Sequence, residues 1–140
     1  MVNIDLNKFH NDDKVYTWFD CNKLKVKAKS TDNPGMKYDC PVYLDACKRY
    51  KLSIQYSVDP EEKYLHPLLK YNDEVVVTKD TNIFKKYTNG LLHCFYFDIH
   101  ETGPHDLYLS WLCGNDLYDT VCIDSIHLSC KGVIGPRGPD

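Results

Sequence analysis

Glycine is sparse in this chain, seven in 140 residues, and no low-complexity tract or internal repeat breaks its first 131 residues. No run approaches the ~20 apolar residues of a membrane helix, so membrane insertion is not expected. Positive charge is not in excess: 17 Lys and Arg against 20 Asp and Glu give −3, which leaves no basic face for nucleic acid. The absence of any Cys-x-x-Cys argues against a structural zinc site. A Gly-x-Ser-x-Gly elbow, a His-Glu-x-x-His helix and a phosphate loop are missing as well. Met1–Lys8 has neither an apolar h-region nor a small-residue cleavage site, so the chain is expected to be made in the cytosol without a signal peptide.

Helical spacing is also missing beyond a turn or so, and what stands in its place is alternation with period two. Strands are expected over 17–21, 23–29, 42–46, 50–58, 74–78, 91–100, 107–113 and 120–130. In the clearest, Tyr50, Leu52, Ile54, Tyr56 and Val58 share one face. Leu24, Val26 and Ala28 point inward between the solvated Lys23, Lys25, Lys27 and Lys29. Val121 and Ile123 lie on one parity and Ile126 and Leu128 on the other, so a β-bulge, or a strand covered on both faces, is expected at Asp124-Ser125. The segment 61–70 has room for one helical turn, limited by Pro67. About eight short strands separated by turn signals indicate an all-β sandwich, most simply a jelly roll.

Seven cysteines are an odd count for a disulfide framework, and several occupy strand positions where a free thiol acts as a small buried hydrophobe. Mostly reduced core cysteines are expected, with Cys113 and Cys122 the pair best placed to bridge. His93 and Cys94 are sequence neighbours on a strand, so they face opposite sides and do not form a catalytic pair. All six histidines, His93 included, are expected at edges and on the surface, with a pH-sensitive His cluster on a trimer axis as the alternative. Acidic pairs such as Asp12-Asp13 and Asp73-Glu74 fall in turns, and no enzyme activity is expected.

The chain ends in Gly132-Val-Ile-Gly135-Pro-Arg-Gly138-Pro-Asp140. Glycine at every third residue, with Pro twice directly after it, is the collagen pattern, in which only Gly fits at the crowded axis. Residues 1–131 are then a head domain, and 132–140, through Gly132, Gly135 and Gly138, the start of a collagen-like stalk, which implies a homotrimer. Among eleven tyrosines and two tryptophans, Tyr16 and Trp18 share a strand face, while Tyr64, Tyr71 and Tyr87 lie in expected loops with Asn72 nearby. Aromatic faces stack on the apolar C–H face of sugar rings and amides bind the hydroxyls, so these six are the expected glycan contacts. Trp111 alternates with Leu107 and Leu109 and is expected in the core.

The stretch Val42–Val58, with its Tyr-x-Leu-Ser passage, resembles galactose-binding-like jelly rolls, among them carbohydrate-binding modules. His105–Leu112 followed by Val121-Cys-Ile-Asp-Ser-Ile-His-Leu128 resembles their closing pair of strands. The resemblance implies a structural calcium beside Asp124, although Ser125 stands where that family often has a second Asp. A leaderless β head followed by collagen triplets also resembles collagen-like surface proteins of giant DNA viruses, which implies a virion-surface location. Two functions are therefore expected: a glycan-binding attachment head, or a cap that sets register for the triple helix and binds no ligand.

Overall fold

The computed structural model describes residues 2–9, 15–28, 35–58, 65–111 and 120–134. Twelve strands lie among them: β1 (Val2–Asn3), β2 (Val15–Asp20), β3 (Lys23–Ala28), β4 (Gly35–Lys37), β5 (Val42–Leu44), β6 (Lys48–Val58), β7 (Leu65–Tyr71), β8 (Glu74–Val77), β9 (Ile83–Asn89), β10 (Leu92–Ile99), β11 (Gly103–Trp111) and β12 (Thr120–Val133). They form two antiparallel sheets. The larger runs β2-β3-β12-β6-β10-β9, with β1 on β12 beyond the end of β3. The smaller runs β4-β11-β7-β8, with β5 sharing β4's edge of β11. One apolar core joins them, the arrangement of a β-sandwich.

Alternation decides which side chains fill that core. From the larger sheet come Leu24, Val26, Leu52, Ile54, Tyr56, Phe95, Phe97 and Ile99; from the smaller, Met36, Leu65, Leu69, Leu107 and Leu109, all buried. The bulge expected in β12 is present: the register against β6 shifts between Ile123 and Ser125. That extra residue turns both parities inward, and Val121, Ile123, Ile126 and Leu128 are all buried. The β2–β3 hairpin turns through Cys21 (φ 52°) and Asn22 (φ 64°), and β7–β8 through Asn72 (φ 50°) and Asp73 (φ 65°). Paired positive φ angles match the right-handed twist of the flanking strands.

Four strands differ from expectation. The region expected to hold a helical turn contains β7, in which Leu65, Pro67 and Leu69 are buried and His66, Leu68 and Lys70 half-buried. Pro67 is tolerated there because β8 pairs only with Leu69–Tyr71, so the proline lies beyond the end of that ladder. β9 was not expected at all. As the edge of the larger sheet it is exposed along nearly its whole length, so it carries no alternation to read. β1 and β4 are too short to show a period. Trp111 ends β11, and its side chain is not among those described.

Candidate functional site

The expected sugar contacts fall in separate places. Tyr16 and Trp18 stand on the outer face of β2, opposite Lys27 and Lys25 of β3, and are 53% and 41% exposed. Tyr87, 49% exposed, lies on β9. β2 and β9 are the two edges of the same sheet, so five interstrand steps of ~4.8 Å, roughly 24 Å, separate the two groups. Tyr71 belongs to the other sheet. Its hydroxyl donates to the Thr102 carbonyl at 3.1 Å, and its ring lies 4.9 Å from that of His105. A Cβ on Gly103 would meet that ring at 3.0 Å, so the tyrosine packs where only glycine leaves room. Asn72 forms the adjoining turn, and Tyr64 lies outside the described residues.

Beside Tyr87 the sheets part around a cavity of about 310 Å³. Tyr56, Leu65 and Phe95 give it an apolar floor. His66 and His93 stand on its sides, and Lys79, Lys86, Tyr87 and Thr88 come from the exposed segment around β9. His93 registers with Ile54, which places it on the inner face. There its ring stacks on Tyr56 at 4.2 Å, and Nδ1 is 3.4 Å from the Thr88 hydroxyl. Burial holds the His93 imidazole below its ordinary pKa. The Tyr56 hydroxyl accepts from the Leu65 N–H at 2.9 Å, which links the two sheets at the cavity floor. The sequence held a signal for this site: His93 shares the parity of the buried Phe95, Phe97 and Ile99.

Cys94 registers with Ser53 on the opposite, outer face, its thiol 3.6 Å from the Ser53 hydroxyl. It is buried as expected, but core cysteines in general are not found. Cys21, Cys40, Cys47 and Cys130 are exposed and Cys122 half-buried, all of them free. Two of these occupy turns at positive φ, Cys21 and Cys47, where alternation says nothing. Cys113 lies outside the described residues. The surface assignment fails for His105, which is fully buried. Its Nδ1 is 2.9 Å from the Gly103 carbonyl and so donates to it, and the alternation that carries Leu107 and Leu109 inward carries His105 with them.

Asp124 occupies the β12 bulge and pairs with Lys23, Oδ1 to Nζ 3.2 Å. Among the described residues no group of three or more His, Cys, Asp or Glu side chains converges for a metal. The carboxylate thus faces an ammonium rather than further acidic ligands. Gly132 and Val133 still belong to β12, opposite Arg49 and Lys48, and the Ile134 N–H donates to the Cys47 carbonyl at 2.8 Å. The first triplet therefore continues the ladder, while Gly135 and Gly138 lie outside the described residues.

Fold and cavity together define an antiparallel β-sandwich with a lateral site between its sheets. No protein-family model matches the chain, and no match is found among curated proteins. Among the described residues no helix is long and apolar enough to cross a membrane.

Proposed function

We propose that this protein is a non-enzymatic attachment head that binds a glycan in the cavity beside Tyr87, carried on a trimeric collagen-like stalk. The cavity is the observation that supports this reading. Its volume is at the lower end of the ~300–1,000 Å³ typical of small-molecule sites. Its apolar floor suits the C–H groups of a sugar ring, and Thr88 with the two imidazoles suits the hydroxyls. The position supports it as well. Tyr56 is seven residues along β6 from Arg49, the partner of Gly132, which at ~3.3 Å per residue sets the cavity about 23 Å from the tail. A jelly-roll topology related to galactose-binding modules, and a place on a virion surface, belong to the same proposal. The two antiparallel sheets and the triplets are in keeping with them.

Titration of the 15N-labelled protein with a panel of mono- and disaccharides tests it. Amide shifts confined to β9, β10 and the start of β7, weakened in Thr88→Val, a position that registers with His93 on the cavity face, are expected. Binding by one site is expected to be weak, since three heads on a stalk multiply affinity by avidity. Shifts nowhere in that region, with any sugar, would overturn the reading.

A specific observation favours a second reading, the register-setting cap. Edge strand β2 exposes Tyr16 and Trp18 on one face and Phe19, 47% exposed, on the other, as an interface between copies requires. Light scattering at micromolar concentration separates the two. A trimer that falls to monomer on Trp18→Ser favours the cap, and a monomeric wild type rules it out.

A further inference from the structure

Among the described residues, the charged groups at the cavity are two lysines. Lys79 and Lys86 stand at its exposed side and His66 and His93 line its walls, whereas no carboxylate lines it among the described residues. A protein with more acidic than basic residues would be expected to place some Asp or Glu around a site for a neutral sugar, since carboxylates are strong acceptors for hydroxyl protons.

We propose that the ligand is an acidic sugar, a glycan unit whose carboxylate is held by Lys79 and Lys86 while its ring occupies the cavity; this rests on the reading of the cavity as a glycan site. The two lysines come from different places, Lys79 from the β8–β9 connection and Lys86 from β9 itself, so they converge on a carboxylate from two directions. Both are exposed, so neither has lost its hydration to the core. Lys86 registers with Phe95, which sets its side chain on the cavity side of β9. His93 adds a pH dependence. Facing it are Tyr56 from β6, Lys86 and Thr88 from β9, His66 from β7 and Lys79 from the connection, none of them anionic at neutral pH. A bound carboxylate would favour its imidazolium, so affinity is expected to rise as pH falls.

The test compares methyl glucuronide with methyl glucoside by NMR titration of the intact protein, wild type and Lys79→Gln/Lys86→Gln, at pH 7 and 5.5. The glucuronide is expected to bind at least about tenfold tighter than the glucoside, the scale of a charge-assisted over a neutral contact. The double variant, changed only at exposed positions, is expected to lose that preference and keep the fold. Equal binding of the two sugars in both proteins overturns the acidic-ligand proposal and leaves the glycan site standing. Binding of neither, with no shift around the cavity, overturns both.

Discussion

Tyr38, Tyr50 and Tyr56 each bury a ring and turn the hydroxyl onto a backbone N–H: Asp5 at 3.2 Å, Asp45 at 2.8 Å and Leu65 at 2.9 Å. The donors lie next to strand ends, where the ladder leaves amides without partners. Part of the tyrosine richness thus serves the fold, even where, as at Tyr56, the side chain also borders the cavity. Tyr56→Phe keeps the ring and strands the buried Leu65 N–H, so a loss of about 1–3 kcal/mol is expected in urea unfolding, with an unchanged m-value. His93 gives a second expectation. Because burial lowers its folded pKa, the unfolded chain takes up a proton first, near pH 6.5, as acidity rises. Stability should therefore fall as pH drops below about 6.5 and level off below the folded pKa. His93→Gln, compared with wild type at pH 7 and 5, should lack that component. At this scale the sequence was legible where alternation ran through a residue, as with Leu24 and Val26, and misleading where a rule of residue type displaced it, as with His105.

Among the elements, β12 was the most legible, since its change of parity named the bulge before any coordinates. Removing Asp124 converts Val121 to Leu128 into a regular alternation with the same inward set, so this deletion should fold, losing only the Lys23 pair and the local bend. Deleting His127 instead moves Leu128 to the outer face. Circular dichroism melts of the two variants check this: a cooperative transition for the first, and a much lower or absent one for the second. β7 and β9 were illegible for different reasons. Pro67 obscured the first although the ladder stops short of it, and the second has both faces wet. The cavity inherits that difficulty, because β9 and the start of β7 form much of its rim.

Over the whole molecule, β12 is the member that joins the rest: β3 and β1 occupy one of its edges and β6 the other. Asn3 opposite His127 closes the chain's beginning on its end, a pairing that sequence proximity cannot suggest. Such non-local ladders fold slowly, on a scale of milliseconds to seconds. A fragment of residues 1–119 should then show neither dispersed amide resonances nor cooperative unfolding, because its larger sheet is divided in two. A folded 1–119 fragment would mean that β6, β10 and β9 form a core of their own. That two sheets would form could be read from strand count and turn spacing; which strands would be neighbours could not, because register depends on partners far along the chain.

The first triplet's place in β12 has a mechanical side. A pull on the tail along the strand axis would pass through Ile134 into β12, which at that end pairs with β6. Its rungs to β6, from Val121 to Val133, would then share the tension in shear instead of opening one by one like a zipper. If the proposed stalk exists, a head tethered at this point would resist being unravelled by tension along it.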